Sequence, residues 1–173
     1  MLIIQISILV ILATVFVQDL LSRSVYWILF PLLGILYFSL RLSNQSVMSI
    51  FQSGAINIGF LAIQLLCVSA YFIIKSRRLI NITNQLLGWG DILFLISTAV
   101  YLSVFNFLFF YIASLICILF FWLNWQLLVN IKNKYIPLAG LQAIILFIAL
   151  IADWWFVHID LTSDYWLLKF VAK

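Results

Sequence analysis

Glutamate is absent from the sequence, and charged residues make up only 8% of its 173 residues. Soluble globular proteins have roughly 25% charged residues, so this chain cannot cover a water-exposed surface. Hydrophobic residues make up 67% of the sequence. The longest uncharged run, residues 92–131, contains 40 residues, whereas one membrane-spanning helix needs only about 20. The composition therefore indicates an integral membrane protein without a soluble domain.

Cysteine and histidine are also scarce. Cys67 and Cys117 lie within apolar runs and lack the CxxC spacing of a zinc or redox site, so we expect two buried small side chains and no disulfide framework. His158 lies among aromatic residues, with no potential metal ligand at helical spacing, and this setting is typical of a membrane surface. The sequence therefore predicts neither a metal site nor a cofactor.

Six apolar segments joined by short polar connections predict an all-α, polytopic fold with about six transmembrane helices. The predicted helices are Leu2–Leu21, Val25–Leu40, Ala55–Ile74, Leu86–Val104, Phe107–Val129 and Ile136–Ala152. Ser53 is expected in the connection before the third of them. The first segment has no basic residues before it and no cleavage site of small residues, so we expect a retained helix. Residues 1–152 are thus predicted to form a membrane-embedded core and residues 153–173 an interfacial tail.

The basic residues are distributed unequally between the two ends of the predicted helices. Six lie at one end: Arg23, Lys75, Arg77, Arg78, Lys132 and Lys134. Three lie at the other end: Arg41, Lys169 and Lys173. Because cytoplasmic connections retain more Lys and Arg, the first end is expected in the cytoplasm and the tail outside. This topology accounts for the formal charge of +4, so the expected partner is the lipid bilayer and not a nucleic acid.

The five aspartates divide into two groups in this topology. Asp153, Asp160 and Asp164 are expected to be solvated on the outer face. Asp19 and Asp91 lie at the cytoplasmic ends of two helices that run in opposite directions. A charged residue at the centre of a transmembrane helix is unfavourable by about 2.5 to 3.5 kcal/mol, so such residues tend to line functional sites. Asp19 and Asp91 are therefore the candidate functional pair.

The residues before Asp91 form a G-x-G-D string, with Gly88 and Gly90, at the start of the fourth predicted helix. Without side chains at the two glycines, an extended substrate backbone can approach the carboxylate closely. The alternative is that the glycines allow close packing of helices and that Asp91 caps its own helix.

Arg23 follows Asp19 by four residues, so the two side chains can share a helix face. Three roles are open for Arg23. It can keep Asp19 ionised as an ion pair, contact the substrate backbone, or serve only as a cytoplasmic anchor of the first helix.

Three stretches of the sequence together carry a resemblance to a known family. The run Asp19-Leu20-Leu21-Ser22-Arg23-Ser24-Val25 resembles the pattern D-L-x-x-R-x-I, and Gly88, Gly90 and Asp91 reproduce G-x-G-D. The run Lys134-Tyr135-Ile136-Pro137-Leu138 resembles a basic Ile-Pro start of a last helix. In order and spacing, most of the chain resembles the short form of the type IV prepilin peptidase family of GxGD membrane aspartyl proteases, which lacks the cysteine-containing methyltransferase region.

The resemblance implies that Asp19 and Asp91 are the catalytic pair of an intramembrane aspartic endopeptidase that needs no metal or cofactor. Gly88, Gly90 and Arg23 are then expected beside the approaching substrate. The implied substrate is a membrane-inserted protein similar to a prepilin. Its short basic leader would be removed at the cytoplasmic face of the bacterial inner membrane.

Two departures from the family pattern leave other functions open. Tyr26 and Trp27 replace its Pro-Asn, and Leu93 stands where the family usually has a lysine. One alternative is a degenerate, non-catalytic member of the same fold. The other is a small ion- or proton-coupled transporter, in which the glycine-interrupted fourth helix and the two aspartates bind a cation.

Overall fold

The structure is a computed structural model that describes residues 1–76, 88–129 and 137–166. These residues form six α-helices: α1 Leu2–Ser22, α2 Leu29–Leu42, α3 Val47–Ser76, α4 Trp89–Tyr101, α5 Val104–Val129 and α6 Leu138–Ile151. A π-helical turn, Ala152–Val157, continues α6. The predicted all-α fold is confirmed, and the described ranges contain no strand.

Four helices in the described part of the chain are long and apolar enough to cross a membrane: α1, α3, α5 and α6 with its π-helical turn. α2 and α4 are also apolar but have only 14 and 13 residues. Such helices are about 20 Å long, whereas the hydrocarbon core of a bilayer is about 30 Å thick. The chain is therefore a polytopic helical membrane protein, and two of the six helices in its described part are shorter than a full crossing.

Two helix boundaries differ from the sequence prediction for identifiable reasons. α3 begins at Val47 instead of Ala55, so Ser53 lies within the helix and not in a connection. Its hydroxyl donates to the Ser49 carbonyl at 3.0 Å, which satisfies the polar group inside the helix. α2 begins at Leu29 instead of Val25. Pro31 then falls in its first turn, where a helix tolerates a missing N–H.

The bundle has two ends, which we name after the residues they contain. α1, α3 and α5 finish at the aspartate end, where α2, α4 and α6 begin. The opposite end, which holds the C-terminal residues 152–166, is the tail end. The predicted cytoplasmic residues Arg23 and Lys75 lie at the aspartate end. The other predicted topology residues at or beyond Arg77 lie outside the described residues: Arg77, Arg78, Lys132, Lys134, Lys169 and Lys173.

α1 and α6 form the most extensive helix pair in the bundle. In α1, Ile8, Leu12 and Val15 recur at helical spacing and are fully buried, so they form one apolar stripe. The next position of this stripe is Asp19, which is only 8% exposed. The hydrophobic packing of α1 therefore turns the Asp19 side chain toward the interior.

α4 positions Asp91 by the same principle. Its buried side chains include Phe94, Leu95 and Thr98, which lie three, four and seven residues after Asp91 and so share its helix face. α4 packs most extensively against α2, and Tyr37 of α2 stacks on Tyr101 of α4 with 4.6 Å between ring centroids. The side chain of Asp91 consequently faces into the bundle from the first turn of α4.

At the tail end, the predicted solvation of the three aspartates is wrong for Asp153. This residue is only 7% exposed, and its carboxylate accepts the amide hydrogens of Asp160 at 2.7 Å and Leu161 at 3.3 Å. Asp164 is half-buried and accepts the Ser103 hydroxyl at 2.5 Å. Asp160 is exposed, as predicted. The start of the predicted tail therefore folds back on the bundle through its carboxylates.

The two cysteines differ from expectation, whereas Arg41 lies at the opposite end of the bundle from Arg23, as predicted. Arg41, predicted as an outer-face residue, is only 3% exposed. Its guanidinium donates to Gln45 Oε1 at 2.8 Å and to the Val100 carbonyl at 2.9 Å. Cys67 and Cys117 are exposed on the outside of the bundle instead of buried in it, which places both thiols toward lipid.

The topology prediction can be tested at one exposed residue at each end. Ser24, at the aspartate end, and Asn44, at the tail end, are both exposed. Arg41 is not a suitable labelling position, because a cysteine there would be buried. In a variant without Cys67 and Cys117, a membrane-impermeant thiol reagent applied to intact cells should label Asn44→Cys and spare Ser24→Cys. Labelling of Ser24→Cys alone would reverse the predicted orientation.

Candidate active site

The carboxylates of Asp19 and Asp91 converge on the first turn of α6. The Gly140 amide donates to Asp19 Oδ2 at 2.6 Å, and the Ala139 amide donates to Asp91 Oδ1 at 2.7 Å. Gly140 and Ala139 are consecutive residues, so two aspartates that are 72 positions apart in the sequence bind adjacent donors. The structure thus brings together the two acidic residues that the sequence singled out.

The hydrogen bonds limit the separation of the two carboxylates. Successive amide nitrogens in a helix are about 3 Å apart. With hydrogen bonds of 2.6 and 2.7 Å to those nitrogens, the two bonded oxygens are at most about 8 Å apart. At this upper limit a water molecule fits between the two oxygens, and direct sharing of a proton requires the oxygens to come closer.

Asp91 has a second hydrogen bond within its own helix. The Gly88 amide donates to Asp91 Oδ2 at 3.0 Å, and Gly88 is the residue that precedes the first turn of α4. The capping role considered as an alternative is therefore present. The other oxygen of this carboxylate, Oδ1, accepts the Ala139 amide of α6. Capping therefore accounts for only one of the two oxygens.

The two glycines of the G-x-G-D string have different surroundings. A Cβ atom at Gly88 would lie 3.3 Å from Asp91 Oδ2, which is a tight contact. A Cβ atom at Gly90 would lie 3.8 Å from Phe30, at an ordinary van der Waals distance. Gly88 therefore leaves room for the carboxylate itself, while Gly90 lies against α2.

Arg23 contributes to the site through its backbone. It ends α1 in a left-handed conformation with φ of 52°, and its amide donates to the Asp19 carbonyl at 3.1 Å. Its side chain is exposed, and no ion pair joins it to Asp19 within the described ranges. The Asp19 carboxylate is bound by the Gly140 amide instead, so Arg23 acts on Asp19 through its charge at a distance and not through a direct ion pair.

Gly140 is the residue of the site that the sequence analysis missed. A Cβ atom at this position would lie 2.9 Å from the Asp19 Cβ and 3.3 Å from the Phe16 carbonyl oxygen. Only a glycine allows α1 and α6 to approach this closely. The available sequence signal was the pair of small residues, Ala139 and Gly140, shortly after Pro137 at the start of the last apolar segment.

The first turn of a helix suits two carboxylates for electrostatic reasons. Its amides lack partners within the helix, and the helix dipole places partial positive charge there. Hydrogen bonds to charged groups contribute about 1.5 to 3 kcal/mol each, which offsets part of the cost of burying Asp19 and Asp91 in an apolar bundle. α6 therefore stabilises negative charge at the point where the two aspartates meet.

The same electrostatics disfavour a metal ion. A cation would compete with the amide hydrogens of Ala139 and Gly140 for the carboxylate oxygens, next to the positive end of α6. Within the described residues, no group of three or more His, Cys, Asp or Glu side chains could hold a metal. The donor set fits proton transfer between two carboxylates better than coordination of a cation.

Comparison of the chain with known proteins found no relative. No protein-family model matches the chain. No curated protein and no solved structure matches it either. The description of the site therefore depends on the positions of its own residues.

Replacement of Gly140 tests the close contact between α1 and α6. Gly140→Ala should lower the free energy of unfolding by about 1 to 3 kcal/mol, because the new methyl group collides with Asp19. Gly59→Ala in α3 is the matched control, since a Cβ atom there meets nothing within 4 Å. That control should be neutral or stabilising by about 0.5 to 1 kcal/mol. Thermal unfolding in detergent measures both, and equal stability of the two variants would contradict the close contact.

Proposed function

We propose that this protein is an intramembrane aspartic endopeptidase in which Asp19 and Asp91 form the catalytic dyad. The observation that carries this proposal is the binding of both carboxylates to the adjacent amides of Ala139 and Gly140. Two carboxylates held at one point, in an otherwise apolar bundle, are the functional groups that acid–base hydrolysis of a peptide bond requires.

The dyad would act through a shared proton. Two close carboxylates do not both ionise easily, so one carries a proton while the other is charged. The charged carboxylate accepts a proton from water, and the water oxygen attacks the scissile carbonyl carbon. The protonated carboxylate donates to the carbonyl oxygen, which gives a tetrahedral intermediate. The first carboxylate then gives the proton taken from water to the departing amine, and the C–N bond breaks. A hydroxyl of the intermediate returns its proton to the second carboxylate, which restores the dyad without a covalent intermediate with the enzyme.

The substrate class follows from the resemblance to type IV prepilin peptidases. We infer a membrane-inserted, prepilin-like precursor whose short basic leader is removed at the cytoplasmic face of a bacterial inner membrane. The aspartate end suits a position at the membrane surface, because Tyr26, Trp27 and Trp89 are exposed there, and such aromatic side chains favour the interface.

Two of the residues that depart from the family pattern make defined contacts in this chain. Tyr26 stands where the family has proline, and its amide donates to Gln18 Oε1 at 3.2 Å. Proline has no N–H for such a bond. In this chain, the hydrogen bond of Tyr26 holds the connection after α1 against α1 itself. Leu93 stands at the family's lysine position and packs against the hydrophobic core.

A transporter is the less favoured function for these aspartates. A cation site in a broken helix is formed by oxygen atoms and by helix ends of negative polarity. Asp19 and Asp91 instead accept hydrogen bonds at the positive end of α6. We therefore keep transport, and a non-catalytic role of the same fold, as outcomes of the activity test.

The proposal predicts that Asp19→Asn and Asp91→Asn each reduce cleavage of a leader-bearing precursor by about 100-fold or more. Asparagine retains the shape but cannot exchange a proton, and at position 91 its single acceptor oxygen keeps only one of the two amide hydrogen bonds. The double variant should be little slower than either single variant, since loss of one partner already stops the mechanism. Purified protein in lipid vesicles, with cleavage followed by mass spectrometry, provides the measurement.

Asp160→Asn is the control for these variants. Asp160 is exposed at the tail end with φ of 62°, a conformation that asparagine tolerates well, so cleavage should remain unchanged. Asp153 is unsuitable as a control because its buried carboxylate holds the tail. Normal cleavage by the double variant would exclude the aspartic mechanism. A wild-type protein that conducts cations and cleaves nothing would establish the transporter instead.

A further inference from the structure

An apolar groove runs along the outside of the bundle between α1, α5 and α6. Its volume is about 340 Å³, and its lining includes Phe16 of α1, Cys117 and Phe121 of α5, and Leu141 and Ile144 of α6. Cys117 and Phe121 are exposed, so the groove opens on the surface that faces lipid.

This groove lies beside the contact between α1 and α6 that holds Asp19, because Phe16 and Leu141 line it. Phe16 precedes Asp19 by one helical turn, and Leu141 directly follows Gly140. The Phe16 carbonyl oxygen is 3.3 Å from the position that a Gly140 Cβ would occupy. From there, Ile144 continues the groove one turn further along α6, away from the dyad and toward the membrane interior.

A second groove, between α3, α4 and α5, is less suited to the same role. It contains the hydrogen-bonded pair of Gln64 and Tyr111. Its lining includes Ile92, next to Asp91, but no residue of α1 or α6. The second groove therefore lies near Asp91 only. The first groove is lined by α1, which carries Asp19, and by α6, whose Gly140 binds Asp19.

We propose that the groove between α1, α5 and α6 docks the transmembrane helix of the substrate, with the scissile bond beside Asp19 and Asp91. This inference rests on the proposed peptidase function and specifies where its substrate binds. The lining supplies no polar partner for a peptide backbone, so an extended segment would leave its N–H and C=O groups unpaired in lipid. A helix satisfies these groups internally and presents only side chains to the groove. The occupant is therefore an apolar helix that continues directly from the cleavage site.

The two native cysteines provide a direct test of this docking site. Cys117 lines the groove, and Cys67 is equally exposed but lies on α3, outside it. The probe is a prepilin-like precursor with a basic leader, an apolar helix of about 20 residues and one cysteine, placed in turn at successive positions one to three turns beyond the scissile bond. With the full-length Asp91→Asn variant, which retains the precursor, iodine oxidation should form a disulfide to Cys117.

The expected result is a disulfide to Cys117 at one or two of the scanned positions, because the bond forms only when the Cα atoms are about 4.4 to 6.8 Å apart. The disulfide should be at least about tenfold more abundant with Cys117 than with Cys67, a difference of about 1.4 kcal/mol in binding preference. An unrelated apolar helix with a cysteine, but without leader or cleavage site, should show no preference. Preferential bonding to Cys67, or none to Cys117 while the wild type cleaves the precursor, would overturn the docking site and leave the peptidase intact.

A kinetic test uses two isoleucines of the same helix. Ile144 lines the groove, whereas Ile148 is 61% exposed and lies outside it. Ile144→Trp should raise KM for the precursor about tenfold with kcat nearly unchanged, because it removes binding common to ground and transition states. Ile148→Trp should change neither constant, and equal effects of the two variants would overturn the groove. A Cys117 disulfide with a wild-type protein that never cleaves would support docking and refute the peptidase.

Discussion

Two carboxylates buried among apolar helices need hydrogen-bond donors, and this requirement determines where the last helix begins. In a membrane-embedded bundle, most backbone amides are already paired within helices. The first turn of a helix is the exception, since its amides are free and its dipole attracts negative charge. Ala139 and Gly140 supply those amides to Asp91 and Asp19. The register of α1, α4 and α6 at the aspartate end depends on this arrangement.

Much of this arrangement could be predicted from local sequence features. Hydropathy gave the number and order of the helices, because backbone polar groups in lipid leave few alternatives. Placement of Asp19 and Asp91 at the same end followed from counting helix reversals. The spacing of Ile8, Leu12 and Val15 is a further local signal, not used in the sequence analysis, for an inward Asp19, since a helical period of 3.6 residues places them on one face.

The features that the sequence did not predict depend on contacts between distant residues. Nothing local to Gly140 indicates that its missing side chain makes room for Asp19, a residue of the first helix. The burial of Asp153 likewise depends on a backward turn that brings the amides of Asp160 and Leu161 to its carboxylate. The cysteines were expected to be buried because apolar surroundings in a soluble protein mean an interior, whereas in a membrane the outer surface is apolar as well.

The coupling between Asp19 and Asp91 is most directly measured by NMR of the protein labelled with ¹³C at the aspartate carboxyl carbons. The chain has five aspartates and no glutamate, so single Asp→Asn variants assign every carboxyl signal. A shared site predicts that Asp19→Asn changes the titration curve of Asp91 and that Asp91→Asn changes that of Asp19. Identical titration of Asp91 with and without the Asp19 carboxylate would contradict a dyad at the start of α6.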